Sequence, residues 1–502
     1  MIIFDITQRR KNMLSNKLQA IVLAAGKSSR FNTGNTKLAE PLCGRPMILY
    51  PAKMLEELCI DSTFVVGYQK EKIEDIIKNN CSNPVHFIHQ EKQLGTGHAV
   101  ACTQHLWNKE HVVILNGDVP LVTPDIIENL YNEHVKANAA ISLVVSHYTG
   151  TDHAYGRVIQ DQDGIKIVEA KDFKEEVYDT KCCINAGIYI AKTEFLKNCI
   201  DKINTKNAAK EFYLTSLVEI ACKKDLDIVT FYAPYDKIRG INTFEELWAA
   251  EQIKRSQLIR YWMKQGVRFQ VAQNIHIDVD IEIGAGTTIG GGVHILSGSK
   301  IGKHCTIRKF STIDNSVLKD NVEIFPNTIV RDSQIGKNAK IGPFAHIHSQ
   351  SKIEEGVEIG NFVEVKQSTI GKQSFAKHLA YLGNAEIGSH VNIGAGTITC
   401  NYDGIHKHQT IIKNNAFIGS NNTLVAPLSI GQNSFTAAGS TITEDVPENS
   451  LAIGRAKQSN KENYVQKLLE KLQGRSQAIT VNKSQESCET LPLKKEKKEQ
   501  EL

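Results

Sequence analysis

The chain has 502 residues, enough for two or three domains, each with its own core. With 41% hydrophobic and 23% charged residues it has an ordinary soluble composition, and a formal charge of +4 predicts neither a nucleic-acid partner nor a membrane surface. The 11 cysteines are scattered without a C-x-x-C pair, which argues against a disulfide framework or zinc ribbon and predicts reduced thiols in the cytoplasm.

Residues 1–17 form a leader broken by Asp5, Arg9, Arg10 and Lys11, without the apolar centre of a signal peptide. No run elsewhere is long and apolar enough to span a bilayer. Ile21–Ala25 is a short apolar run of the kind found in buried parallel strands, and a loop, Gly26-Lys27-Ser28-Ser29-Arg30, leads from it towards Lys37. A glycine-bearing loop after a first strand can cradle phosphates with backbone N–H groups. The Gly-Lys-Ser triplet is not a P-loop, because Ile21 stands where that motif needs a second glycine.

Thr63–Gly67 and Val112–Leu115 read as strands, and Met47–Leu58 and Lys70–Lys78 as helices. That alternation predicts an open α/β sheet whose ligands bind at the carboxyl ends of the strands. Asn116-Gly117-Asp118 follows such a strand directly, where Asp118 can hold a metal or simply make a turn. Gln90–Ala99 is a second loop, with Gly95-Thr96-Gly97. Thr243 to Gly266 predicts a linker helix, with Thr243 as cap, Glu246 at the capping-box position, and Leu247, Ile253, Leu258 and Trp262 near one face.

A ladder of aliphatics six residues apart follows. It runs Ile283, Ile289, Ile295, Ile301, Ile307, Ile313, resumes from Ile335 to Val365, and returns at Ile387, Ile393, Ile418, Leu424 and Ile430. Neither a helix nor an ordinary strand has that period, whereas a parallel β-helix of hexapeptide repeats does. Glycines often follow the aliphatic position, as tight corners between faces would require. The stretch from Cys400 to Thr410 breaks the period, and such breaks usually carry function.

LAAGKSSR, Lys37, QLGTGHA, NGDVP, Tyr155-Gly156-Arg157, Asn185-Ala186-Gly187 and Gly240-Ile241-Asn242 occur in the order and spacing of sugar-1-phosphate nucleotidyltransferases. With the hexapeptide coil, the chain resembles the bifunctional N-acetylglucosamine-1-phosphate uridyltransferase/glucosamine-1-phosphate acetyltransferase family along nearly its whole length. The resemblance implies a Rossmann-like nucleotidyltransferase domain at 18–242, a linker helix at 243–270, a left-handed β-helix acetyltransferase domain at 271–456 and a charged tail at 457–502. It implies acetyl transfer from acetyl-CoA to glucosamine-1-phosphate, then uridylyl transfer from UTP to N-acetylglucosamine-1-phosphate with Mg²⁺, in a homotrimer. The product, UDP-N-acetylglucosamine, is a precursor of cell-envelope polysaccharide.

Carried over by motif, Leu23, Ala24, Ala25 and Gly26 hold the uridine and its phosphates, and Arg30 and Lys37 act on the phosphates. Gln90, Gly95 and Thr96 face the uracil, and Asn116 and Gly117 also bind substrate. Gly156, Glu169 and Asn185 contact the sugar, and Asp118 and Asn242 hold Mg²⁺. In the coil, His378 is the general base, an imidazole that titrates near working pH. His348, Lys366, Tyr381, Asn392 and Lys407 bind the sugar phosphate, while Ala395, Asn401, Tyr402, Ser420, Ala438 and Arg455 line the coenzyme A side.

Three positions depart from the family pattern: Asn116 stands for a Tyr, Arg239 for an acidic residue, and His348 for an Arg. An Arg is permanently charged and bidentate where a His is mostly neutral, so His348 predicts a weaker grip on the sugar phosphate. Cys400 reads as a packing residue rather than an acyl carrier. His346, His348 and His378 are candidates for a three-histidine zinc site, which the spacing does not require. The alternatives are a monofunctional nucleotidyltransferase whose coil only assembles the oligomer, and a non-catalytic scaffold. The tail predicts a short helix over Tyr464–Leu472 and disorder beyond.

Overall fold

The computed structural model describes residues 14–27, 31, 34–148, 155–162, 164–173 and 183–485. Arg30 lies outside them, and with it one of the three expected catalytic residues.

The expected strands and helices form. Leu18–Ala24, Asp61–Val66 and His111–Asn116 are strands, and Leu49–Glu57 and Lys70–Asn80 are helices. The head sheet runs in the order Ile228–Tyr232, Ile141–His147, Cys183–Lys192, His111–Asn116, Leu18–Ala24, Asp61–Val66, Val85–His89. These strands pair in parallel except Cys183–Lys192, which is antiparallel to both neighbours. Both faces of the first strand are covered. Ala20, Val22 and Ala24 join one core with Leu55 and Ile127, and Ile21 joins another with Leu196 and Leu217. Burial on both sides is why its sequence reads as a continuous apolar run.

The linker helix spans Phe244–Lys264, and its capping box is complete: Glu246 N–H donates to Thr243 Oγ1 at 3.1 Å and Thr243 N–H to Glu246 Oε2 at 2.9 Å. Leu247 packs with Phe31, Leu42 and Met47 of the head, whereas Ile259 belongs to the core of the coil. Arg45 pairs with Asp280, and Val279 N–H donates to Cys43 O at 3.1 Å, fastening the head to the first turns of the coil.

From Arg268 to Ala452 the chain winds through three parallel sheets of eleven, ten and nine short strands. The first face carries Thr288–Ile289, the second His294–Leu296 and the third Lys300–Ile301. Ile289 pairs with Ile307, eighteen residues on, so one turn is three hexapeptides. The ladder residues form one continuous buried core. The ladder also continues where the sequence suggests a gap: Leu318, Ile324 and Val330 fill the first, and Ile370, Ala376 and Leu382 the second. Four steps are five residues instead of six (Ile313 to Leu318, Val330 to Ile335, Val365 to Ile370, Leu382 to Ile387), all at the corner between second and third faces. There a single left-handed residue turns the chain (Asn315, Asp332, Gln367 or Asn384), where the six-residue steps Ile295 to Ile301 and Ile347 to Ile353 at the same corner use two, Ser297 with Gly298 and Ser349 with Gln350.

The post-aliphatic glycines serve a different purpose from the one expected. A Cβ on Gly284 would come within 2.6 Å of the Gly302 backbone one turn on, so glycine there permits close stacking of turns, while the turning is done two residues later by a left-handed residue, Gly286 here and His304 one turn on.

Residues 401–409 leave the coil as the expected excursion, closed by a bridge between Tyr402 and Lys407. Ile453 begins a separate unit, in which the helix runs from Tyr464 to Gln485, well past the expected Leu472; the rest of the tail lies outside the described residues. Among the described residues no helix is long and apolar enough to cross a membrane.

Candidate active sites

Leu18–Ala24 lies between Asp61–Val66 on one side and His111–Asn116 on the other, so the chain leaves this strand and returns to it from opposite directions. Such a reversal opens a crevice at the carboxyl ends of the two central strands. Leu23, Ala24, Ala25, Gly26, Lys37, Gln90, Gly95, Thr96, Asn116 and Asp118 line one cavity there, of about 360 Å³. Gly156, Glu169, Asn185 and Asn242 line a second, of about 220 Å³. The two share Leu23, Thr96, Asn116 and Asp118, so they meet beside the carboxylate. Gly117 lines neither; its N–H donates to Leu23 O at 2.9 Å and ties the two strand ends together.

Lys37 Nζ sits 2.5 Å from Asp118 Oδ2 and 2.7 Å from Asn242 Oδ1. The carboxylate and the amide oxygen thus converge on one positive charge, and oxygen donors so aimed fit a hard divalent cation. Gly95 has φ +114°, and a Cβ on it would lie 2.6 Å from Phe212 O; only glycine lets this loop close over the cavity. Gln90 Nε2 donates to Gly95 O at 3.1 Å. In the second cavity Glu169 is largely buried, which pushes its carboxyl above the usual range; the Thr215 hydroxyl, donating to Oε1 at 2.8 Å, works against that shift. Asn185 Nδ2 donates to Tyr189 Oη at 2.6 Å.

Asn116, in the place of a Tyr, points its amide at Gly187, and the Arg239 guanidinium lies over the Tyr235 ring at 5.2 Å. Sequence reasoning missed Gln93 and Glu211 in the first cavity and Thr215 in the second, and gave Tyr155 of the second, although part of a quoted motif, no role. Gln93 stands in a stretch already singled out and donates to Ala25 O. Glu211 and Thr215 come from irregular backbone without periodicity.

The coil distributes its candidates differently. Lys366 and Tyr381 lie on the second face, where His348 pairs with Lys366 and Glu364 with Tyr381 on successive turns. Asn392 lies on the first face, between Phe375 and Phe417. His378 ends a first-face strand at the edge between those two faces, exposed, with Nδ1 3.0 Å from Asn361 Oδ1 one turn earlier. Asn361 is a further residue that sequence reasoning missed, although the ladder register places it beside His378.

Ala395, Ser420 and Ala438 occupy successive corners of that same edge. Asn421 N–H donates to Ala395 O at 2.6 Å, and Gly439 N–H to Ser420 O at 2.8 Å. Asn401 Nδ2 donates to Asn384 Oδ1 at 2.6 Å; Tyr402 and Lys407 belong to the excursion. Arg455 belongs to the C-terminal unit. Cys400 is a free thiol on the strand Ile398–Cys400. His348 Nε2 is 3.0 Å from Glu364 Oε1, and burial beside His348 pushes the His346 imidazole below its usual value. The histidine cluster is therefore His346 and His348 with Glu364; His378 is not part of it.

Fold and cleft together define a nucleotidyltransferase head on a hexapeptide-repeat coil. Residues 20–160 match the family described as MobA-like NTP transferase domain, and residues 269–370 that described as GMPPB C-terminal domain. Bifunctional protein GlmU of Geobacillus thermodenitrificans is 42% identical over 459 residues, 90% of this chain and 98% of that protein. Those of Caldicellulosiruptor saccharolyticus and Thermosipho africanus are 40% and 39% identical, covering 90% and 88% of this chain and 98% and 95% of their own lengths. The chain belongs to the GlmU family of bifunctional uridyltransferase/acetyltransferase enzymes that make UDP-N-acetylglucosamine. The monofunctional alternative is not favoured, since relatives named as bifunctional match over nearly their whole length.

Proposed function

We propose that the head cleft joins UTP to N-acetylglucosamine-1-phosphate and that the coil edge acetylates glucosamine-1-phosphate from acetyl-CoA. The observation that carries the head reading is the meeting of its two cavities beside Lys37, Asp118 and Asn242. A nucleotide in the first cavity and a sugar phosphate in the second bring two anions face to face, and a sugar-phosphate oxygen attacks the α-phosphorus as pyrophosphate leaves. Asp118 and Asn242 would hold Mg²⁺, which supplies positive charge to the phosphates. Lys37 offers the same charge from the protein, and Glu169 and Asn185 orient the sugar.

On the coil, His378 takes the proton of the attacking amine as nitrogen bonds to the acetyl carbon and the C–S bond of the thioester breaks. Asn361 holds Nδ1 of that imidazole, which leaves Nε2 for the amine. The small side chains of Ala395, Ser420 and Ala438 leave a track along the edge for an extended coenzyme, and Lys366, Tyr381 and Asn392 serve the sugar phosphate; Asn401, Tyr402 and Lys407 stand at the other corner of the second face, from which they would serve the edge of a neighbouring copy. These residues flank a convex edge, so a neighbouring copy is needed to enclose the substrate.

An apolar stripe at the same edge supports a trimer. Phe310, Phe344, Phe362 and Leu379 are 49–61% exposed, each in the left-handed region that Asn or Gly adopts with least strain. The turn does not require bulky apolar residues there, and a neighbouring copy would cover them. The cytoplasm is the compartment that suits the free thiols of Cys43, Cys199 and Cys305.

Separate assays, with glucosamine-1-phosphate and acetyl-CoA and with UTP, N-acetylglucosamine-1-phosphate and Mg²⁺, should both give product. Absence of either turnover from folded protein overturns the corresponding half.

A further inference from the structure

The second face of the coil carries a cluster that neither reaction uses as such. His346 and His348 are two apart on one short strand, so both side chains project outward on the same side. Their rings stack with centroids 4.1 Å apart and planes 14° from parallel. Glu364, paired with His346 on the next turn, brings Oε1 to 3.0 Å from His348 Nε2. One ligand atom from each of the three lies within 4.8 Å of the others, and all three side chains are half-buried. Two imidazoles and a carboxylate converging from two adjacent strands are a donor set for a borderline-soft divalent ion, and three protein ligands leave coordination positions open. The backbone ladder fixes both strands, so the set is preorganised rather than assembled from mobile loops.

We propose that His346, His348 and Glu364 bind one divalent transition-metal ion of the zinc class, and that its open positions take the phosphate of the sugar phosphate. The second half rests on the acetylation reading above, because Lys366 and Tyr381 on the following turns are what place the phosphate on this face. Lys366 pairs with His348 and supplies a second positive charge to the same anion. The ion would supply the fixed charge that an Arg would otherwise offer a phosphate.

The test uses the full chain, stripped with a chelator and titrated calorimetrically with Zn²⁺, with Co²⁺ absorption reporting the ligand set. The Asp118→Ala background removes the other expected cation site. One ion per chain is expected, with affinity at least ~10-fold weaker in His346→Ala and in Glu364→Gln, which keeps the side-chain shape. No Zn²⁺ binding in the micromolar range, or equal affinity in those variants, overturns the site and leaves a plain His348–Glu364 hydrogen bond. A second titration, of glucosamine-1-phosphate into Zn²⁺-loaded and into stripped protein, should show tighter binding to the loaded form. Equal binding overturns the phosphate role. Neither titration involves acetyl-CoA, so failure here is distinct from failure of acetyl transfer, which the separate acetylation assay reads.

Discussion

The head and the coil solve the same problem, holding an anionic sugar, with opposite geometries. In the head, loops at the ends of parallel strands turn inward, and the candidate side chains converge on two connected cavities within one chain. In the coil, side chains point outward from flat faces, and His378, Lys366 and Asn392 stand on two sides of an edge. A sheet crevice is concave by topology, whereas a prism edge is convex by construction. On the proposed reading the head is therefore complete in each chain, and the coil needs a neighbour.

The sharpest way to break that contrast is to disable one centre and read both. His378→Ala should lower acetyl transfer by roughly 10²–10⁴-fold and leave uridylyl transfer unchanged. Asp118→Ala should lower uridylyl transfer by roughly 10²–10³-fold, with acetyl transfer intact. Loss of both activities in either folded variant would mean that the centres are not separate.

Assembly offers a finer test. Charges placed in the apolar stripe, as in Phe344→Asp with Phe362→Asp, should weaken association, visible by sedimentation. Acetyl transfer per chain should then fall on dilution, on the order of tenfold if about one kcal/mol or slightly more of interface energy is lost. Uridylyl transfer per chain should not depend on concentration. Parallel loss of the two activities on dilution would refute the single-chain character of the head.

How much of this was legible in the sequence also differs between the two regions. The coil declares itself through Ile283 to Ile313, because every turn repeats the same burial, yet Leu318, Ile324 and Val330 escape notice once a five-residue corner shifts the phase. That shift leaves a spacing signal only to a reader who allows a shortened step. In the head, Leu23 to Gly26 and Asp118 are visible because they stand at or just past the ends of apolar strands. Glu211 and Thr215 are invisible, since irregular backbone brings them to the cavities from far along the chain. His346 and Glu364 lie eighteen residues apart, and only the coil register makes them neighbours.

The smallest expected effect concerns what each interior holds. Among the described residues, the polar side chains buried in the coil are hydroxyls and amides, with Cys305 its buried thiol, whereas the head buries His111 and His134. His134 Nδ1 lies 2.7 Å from Ser142 Oγ, and Nε2 lies 3.1 Å from His111 Nδ1. Burial, reinforced by His111, pushes His134 down to about 3 from an ordinary 6.5. His111 is also pushed down, chiefly by burial, with Glu110 opposing and Lys17 and Lys192 adding to the shift. The native head therefore binds fewer protons than the unfolded chain. Its stability is fully present above pH 6.5 and falls as pH drops towards 3, by at most roughly 1.4 kcal/mol per pH unit for His134. His134→Gln should flatten the fall in the melting temperature of the head between pH 6.5 and 4, leaving the part due to His111. The same substitution should leave the response of the coil to pH as it is in the parent protein, since the depressed His276 and His346 of the coil are untouched by it. An unchanged slope in the variant would show that His134 gains its proton without opening the head, and the contrast between the two interiors would then have no thermodynamic consequence.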